Sequence, residues 1–244
     1  MTTFVVPDAH GNHALVRGLL SKQGIIDVQG RRLPQGPFVV QLGDLCNCVA
    51  TNRDADRACL MVARNWFDLL LIGNHEHGHI TPRGAFAGFY PDDEIGTMIR
   101  GLYRDKRLLA AWETDGVLIT HAGLSSQWGR KFDDARVVAA HLNDLWWRQP
   151  DDPVFTTAGQ ARGGWAAQGG ILWSDWSESK RMSFSQVVGH TPGEHVRRRH
   201  WDEASAVCLD LGAGKGRTRI GGAWIEDGHI RPVEYDAGTA RGTG

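Results

Sequence analysis

Apolar residues in the first half of the chain fall into short runs, each stopped by glycine among polar residues. Phe4-Val5-Val6 leads into Asp8-Ala9-His10-Gly11, Phe38-Val39-Val40 into Leu42-Gly43-Asp44, and Leu69-Leu70-Leu71-Ile72 into Gly73-Asn74-His75-Glu76. Farther on, Val117-Leu118-Ile119 leads to His121 and Val187-Val188-Gly189 to His190. Short runs rich in β-branched residues and ended by glycine predict buried strands. Between the first three, two segments carry a helical period. Residues 12–22 start at Asn12, a good N-cap, place Leu15 and Leu19 one turn apart, and stop near Gly24. Asp54 to Trp66 carries Ala55, Ala58, Cys59, Val62, Ala63 and Trp66 on one face, with acids in its first turn. Strand and helix in alternation imply right-handed crossovers and a largely parallel sheet.

The pattern changes after residue 200. Ala206–Leu209, Thr218–Ile220 and Ala223–Ile225 are short strand candidates separated by Gly-rich turns, with Asp227-Gly228 following, which predicts a C-terminal antiparallel β segment, a meander or hairpin. Residues 80–112 and 125–183 have weaker periodicity and predict helices and long loops over the sheet edge. The expected organisation is an α/β fold in one domain over residues 1–236 with a flexible tail at 237–244.

Composition narrows the function. The 244 residues carry 27 Lys+Arg against 28 Asp+Glu, a net charge of −1, and this balance argues against a dedicated nucleic-acid binder. No apolar stretch approaches the roughly 20 residues that span a bilayer, and the first residues lack the basic start and apolar core of a secretory signal. The expectation is a soluble, cytoplasmic protein without membrane contact. Cys46, Cys48, Cys59 and Cys208 are too few for a disulfide scaffold and are expected reduced and packed.

The strand ends deliver a consistent set of polar groups: Asp8 and His10, Asp44, Asn74 and His75, His121, His190. Open α/β sheets bind ligands beyond the carboxyl ends of their strands. Two carboxylates, an amide oxygen and three imidazoles (His10, His121, His190) form a mixed N/O environment suited to Mn, Fe, Zn or Co. Six or seven donors exceed one tetrahedral ion and suit two cations sharing a carboxylate. Any one of these residues alone is as well explained as a turn, cap or half-buried histidine; their conjunction carries the argument.

In their order along the chain, Asp8-Ala9-His10-Gly11, Gly43-Asp44, Gly73-Asn74-His75-Glu76, His121-Ala122-Gly123-Leu124 and Gly189-His190-Thr191-Pro192 resemble the calcineurin-like metallophosphoesterases, and among them the phosphoprotein phosphatases of bacterial and phage type. Leu172-Trp173-Ser174-Asp175 and Leu209-Asp210-Leu211-Gly212-Ala213 are similar to two further segments of that family, so the resemblance spans roughly residues 3–225. It implies a sandwich of mixed β-sheets flanked by helices and a centre of two divalent cations, manganese first among them. Asp8, His10 and Asp44 would hold one ion, and Asp44, Asn74, His121 and His190 the other, with Asp44 bridging. A metal-bridging hydroxide would attack phosphorus directly, and His75 would protonate the leaving oxygen as general acid rather than bind metal.

One departure from the family pattern concerns the continuation Gly43-Asp44-Leu45-Cys46-Asn47-Cys48, where the family carries Gly-Asp-x-x-Asp-Arg. Asn47 can accept a hydrogen bond from His75 but lacks the charge that stabilises an imidazolium, so a lowered His75 pKa and an acid-shifted optimum are expected. Cys48 stands where a phosphate-gripping arginine is expected, and a thiol cannot replace a bidentate guanidinium. Arg162, Arg181 and Arg53, in that order, are the candidate replacements, with Asn74 also contacting substrate. The resemblance implies a phosphatase acting on phosphoserine or phosphothreonine in proteins, or on small phosphoesters. A second reading, from the likeness of His121–Trp128 to symmetrical diadenosine tetraphosphatases, is a dinucleoside polyphosphate hydrolase. A third, motivated by Asn47 and Cys48, is an impaired phosphate-binding scaffold.

Other features receive plainer readings. His77 and His79 are expected in a loop, solvated or capping. Arg197-Arg198-Arg199 reads as a solvated basic face with a possible hold on polyanions, and Trp146, Trp147, Trp165, Trp173 and Trp176 as core with some share in a cleft.

Overall fold

A computed structural model describes residues 1–47 and 52–238. The expected alternation is present at its start: β1 (Thr3–Val6), α1 (His13–Lys22), β2 (Phe38–Gln41), α2 (Arg53–Trp66), β3 (Leu69–Leu71) and α3 (Asn74–Ile80). There follow α4 (Asp93–Arg104), β4 (Leu108–Leu109), β5 (Ala111–Thr114), β6 (Val117–Thr120), α5 (Ser126–Gly129), α6 (Ala135–Arg148), α7 (Pro153–Thr156), β7 (Ser185–Val188), β8 (Arg197–Trp201), β9 (Ala204–Cys208), β10 (Arg219–Glu226) and β11 (His229–Asp236).

Two mixed sheets stack face to face. One has the order β11-β10-β1-β2-β3-β4, the other β5-β6-β7-β9-β8. The strands β1 to β4 run parallel, and β10 joins β1 antiparallel. Strand alternation decides which layer each side chain enters. Val5, Val40, Leu71, Val117, Ile119, Val187, Val207 and Ile225 fill the space between the sheets. Their neighbours Phe4, Val6, Val39, Leu70 and Leu118 face outward and meet the helices. The central strands β1, β2, β3, β6 and β7 are therefore buried on both faces, which is why they read as unbroken apolar runs.

The helices follow their caps. Asn12 accepts from the Leu15 N–H at 3.3 Å and starts α1; Asn52 accepts from Ala55 at 3.1 Å and starts α2. The buried face of α2 departs from the apolar stripe, because Asp56 and Leu60 are buried in place of Ala55 and Ala58. The physical reason is that Asp56 accepts the Asn47 N–H at 2.9 Å, tying the helix to the loop after β2.

Of the meander or hairpin expected in the C-terminal third, the structure has hairpins. β8–β9 and β10–β11 are two hairpins in two different sheets. The candidates at 218–220 and 223–225 are one strand, β10, which runs through Gly221 and Gly222 without a turn. A Cβ at Gly221 would stand 2.3 Å from the Leu209 carbonyl oxygen, and one at Gly222 would stand 2.7 Å from the Phe4 ring. These glycines mark close approach, of the other layer at Gly221 and of a ring on the neighbouring strand at Gly222, not chain reversal. Asp227-Gly228 does form the hairpin turn, with φ of +48° and +77°. Within the expected tail, the Ala237 N–H donates to Thr218 O at 2.9 Å; residues 239–244 lie outside the described residues.

Cys46, Cys59 and Cys208 are buried, while Cys48 lies outside the described residues. Among the described residues no helix is long and apolar enough to cross a membrane.

Candidate metal centre

The loops after β1, β2, β3, β6 and β7 converge beyond the carboxyl ends of their strands, and they carry every residue of the expected donor set. His121 Nε2 lies 3.0 Å from Asn74 Oδ1, 3.0 Å from His190 Nδ1 and 3.5 Å from Asp44 Oδ2. On the other side of Asp44, the same Oδ2 is 3.6 Å from His10 Nε2, which is 3.9 Å from Asp8 Oδ2. Ligand bonds of about 2.0–2.2 Å place neighbouring donors on one ion roughly this far apart. Asp44 Oδ2 belongs to both groups, the position that a bridging carboxylate requires.

The donor chemistry fits cations and fits their absence badly. The Leu42 carbonyl can only accept, so His121 Nδ1, 3.0 Å from it, carries the proton and Nε2 is left with a lone pair. That lone pair faces the Asn74 oxygen, the Asp44 carboxylate and the His190 ring, among which at most one N–H is available. Burial pushes His121 down to about 3 and His190 well below the usual histidine range, so neither ring answers by taking a proton. His190 Nε2 is buried without a hydrogen-bond partner among the described residues. Burial, and next the carboxylate of Asp210, push Asp8 well above the usual carboxylate range. Positive charge between these groups relieves each penalty at once.

Second-layer contacts hold the donors in register. The His190 N–H donates to both Asp8 oxygens at 3.1 and 3.0 Å, and the His75 N–H donates to Asp44 Oδ1 at 3.0 Å. His10, Asp44 and His190 adopt left-handed φ of +47°, +52° and +66°, a conformation uncommon for residues with a Cβ. Gly189 sits so close to the centre that a Cβ there would meet Asp8 Oδ1 at 2.0 Å.

His75 stands at the edge of the first group. Its Nε2 is 3.9 Å from Asp44 Oδ2, and its ring is 4.8 Å from the His10 ring and 5.0 Å from Phe86. Burial pushes it down to about 4, against a hydrogen bond that the ring donates to the Asn47 backbone and that favours the charged form. The direction matches the expectation from Asn47, but the leading cause is burial rather than a missing carboxylate.

A cleft of ≈330 Å³ opens over the centre, lined by His10, Asp44, Asn47, Asn74, His75, Phe86, Arg162, Trp173, His190 and Lys215, among others. Of the three candidate arginines it contains Arg162, whose Nη2 donates to His190 O at 3.1 Å and Thr191 Oγ1 at 2.7 Å. Arg53 and Arg181 are not brought here. Arg53 is paired with Asp92 at 3.1 Å and lines a separate cleft with Tyr90 and Asp93. Arg181 is paired with Asp202 at 2.7 Å in another, with Arg130 and Lys180.

Two plainer readings change, and that of the tryptophans holds except at Trp165. His77 and His79 are buried on helix α3 rather than solvated in a loop, with His77 Nε2 2.8 Å from Pro150 O. Arg197, Arg198 and Arg199 spend their guanidinium groups on the carbonyls of Thr191, Ile230 and Ser179, and Arg197 and Arg199 sit over the Trp176 ring. Of the tryptophans, Trp173 lines the cleft, Trp146 is core, and Trp165 is 98% exposed.

Sequence reasoning gave no task to Glu76, Asp210, Lys215 or Phe86. For Glu76 a signal existed, since an acid three residues after the helix-starting Gly73 is placed to reach back to its N–H, as it does at 3.1 Å.

If the centre holds cations, stripping the protein with chelator and restoring divalent metal raises Tm. Binding to the folded state alone at a hundredfold over Kd stabilises by about 2.7 kcal/mol for one site. A thermal shift series in manganese that leaves Tm where chelator put it would assign these residues to packing.

Among solved structures the chain is similar to the cold-active protein-tyrosine phosphatase of the psychrophile Shewanella sp., at 19% identity and TM-score 0.63, covering 96% of this chain and 80% of that one. A further structure of a cold-active protein tyrosine phosphatase gives 20% identity and TM-score 0.58, covering 95% and 78%. At these identities the likeness is one of fold. No match was found among curated proteins. The family model for the calcineurin-like phosphoesterases matches residues 1–215, the stretch that holds every donor of the centre. The chain therefore belongs to the calcineurin-like phosphoesterases, as a metal-dependent phosphoric ester hydrolase.

Proposed function

We propose that the protein hydrolyses phosphate monoesters, with phosphoserine and phosphothreonine side chains of proteins as its substrates and small phosphoesters as surrogates, in the cytoplasm. The observation that carries this reading is the cleft. At ≈330 Å³ it is at the small end of ligand pockets, suited to a phosphorylated side chain more than to a dinucleotide, and His75 and Arg162 share its lining with the donor set.

Asp8, His10 and Asp44 would hold one divalent cation and Asp44, Asn74, His121 and His190 a second, manganese in this reading, supplying Lewis acidity toward the phosphoryl oxygens and the attacking water. The chain's own groups do the rest. Arg162 carries five N–H donors. Two are engaged by His190 O and Thr191 Oγ1, and Nε faces Asp175 Oδ2 at 3.1 Å. The Nη1 pair is left for a phosphoryl oxygen. Asn74 takes a second oxygen through its amide. His75 delivers the proton to the leaving alkoxide, a task that needs a ring proton and an open path to the ester oxygen. The wall beside it, Phe86 against Trp173 at 5.3 Å, keeps water from that path.

The test is a substrate panel on manganese-loaded protein. It contains phosphoserine, phosphothreonine and phosphotyrosine peptides, p-nitrophenyl phosphate and a dinucleoside polyphosphate. Release of phosphate from the serine and threonine peptides supports the reading. Nucleoside diphosphates from the polyphosphate with inert peptides would replace it with the dinucleoside polyphosphate hydrolase, and an inert panel with metal bound would favour a scaffold.

A further inference from the structure

Lys215 lies in the cleft and has no task in the reaction described above. Its turn is built to put it there. Gly212 and Gly216 take left-handed φ of +83° and +71°, the Gly212 N–H is held by Asp210 Oδ1 at 2.7 Å, and the Lys215 N–H by Gly212 O at 2.9 Å. Gly214 presses the turn against the metal centre, since a Cβ there would meet the His10 ring at 2.4 Å. Only glycine allows this approach, and the residue that follows is delivered to the cleft rim.

The remaining charged residues near the cleft have partners. Arg162 faces Asp175, and the flanking Arg217 donates to Gly193 O and Leu211 O. The exposed Lys215 ammonium takes part in no ion pair or hydrogen bond of the described residues. Both cations of the cleft bear on the buried Asp210 carboxylate, and beyond it the charge of Arg162 reaches His121 and His190 while that of Lys215 reaches His10. A phosphoryl group engaged by Arg162 leaves the ammonium at the other end for a different anion.

We infer that Lys215 is a specificity-determining residue that binds a second anionic group of the substrate, next to the reacting phosphate. In the phosphopeptide reading, on which this inference rests, that group is a carboxylate or second phosphate flanking the phosphorylated residue. A lysine suits the task, because its ammonium is a point charge on a flexible stem that follows an anion of variable position.

Two phosphoserine peptides that differ only in aspartate or asparagine beside the phosphorylated residue provide the test. Wild type prefers the aspartate peptide by about tenfold in kcat/KM, carried by KM, the scale of one hydrogen bond to a charged group. Lys215→Met brings the ratio to about one, and Lys215→Arg restores most of it. A ratio that survives Lys215→Met overturns the inference, as does an equal loss on both peptides, which would place the ammonium on the reacting phosphate or in the fold. Should wild type cleave neither peptide, the phosphopeptide reading fails separately. The role of Lys215 is then decided by the same ratio, in wild type and Lys215→Met, on a dinucleoside tetraphosphate against a dinucleoside triphosphate, where collapse supports it and persistence overturns it.

Discussion

His75→Asn is expected to cut turnover by about 10²–10⁴ while the protein keeps its metal, the usual scale for loss of a general acid. The Asn74 oxygen and the His121 ring meet at 3.0 Å independently of His75, whose hold on the centre is its main-chain N–H to Asp44 Oδ1. Asparagine preserves that N–H and removes only the ring. Substrate binding changes little, so the loss falls in kcat. The pH profile supplies a second readout. A general acid must carry its proton, and burial holds the His75 ring to about 4, so wild-type turnover falls as pH rises through its titration range. The variant has no such limb. Metal content by elemental analysis separates this role from ligation, which the 3.9 Å from Nε2 to Asp44 Oδ2 also permits. Should the metal leave with the ring, His75 is a ligand and the leaving group takes its proton from elsewhere.

How far the chain spelled out its own structure depended on whether the cause was local. The strands β1, β2, β3, β6 and β7 were legible because both faces of each are buried, which writes an apolar run, and because the turns that follow need glycine or accept a left-handed residue. The donor set came with them, since each donor follows one of those strands. The continuity of β10 was hidden by Gly221 and Gly222, which look like turn residues and are there because the Leu209 backbone and Phe4 pass close by. β8 was hidden by Arg197-Arg198-Arg199, whose charges end on carbonyls of other segments. The choice among Arg162, Arg181 and Arg53 could only be ranked from sequence, because all three pair with an aspartate and only the fold shows that Arg162 alone lines the cleft. Lys215 was missed for a related reason: its neighbours are glycines, and only the fold reveals what they press against.

The larger structural effect belongs to a residue that touches neither cation nor substrate. Glu76→Gln should destabilise the fold by about 2–6 kcal/mol, on the basis of roughly 1–3 kcal/mol for each buried donor left unpaired. Glu76 is 1% exposed and its carboxylate accepts from four main-chain N–H groups: Asp44 and Gly73 on Oε2 at 2.7 and 3.1 Å, and Leu45 and Cys46 on Oε1 at 2.8 and 3.3 Å. It thereby ties the loop after β2 to the start of α3, and so fixes Asp44 and Asn74 relative to each other. Glutamine keeps the shape and replaces one oxygen with an N–H₂ group, which turns two of these contacts into facing donors. Against a total stability of about 5–15 kcal/mol this is a large fraction, visible as a lower urea midpoint at unchanged slope. A loss of metal affinity accompanies it, because Asp44 supplies an oxygen to both donor groups and its backbone is the one set loose. Glu76→Ala, with all four donors unpaired, falls further on both measures. A Glu76→Gln protein with wild-type midpoint and metal content would mean that the loop after β2 is held by its other contacts, chief among them the Asn47 N–H to Asp56.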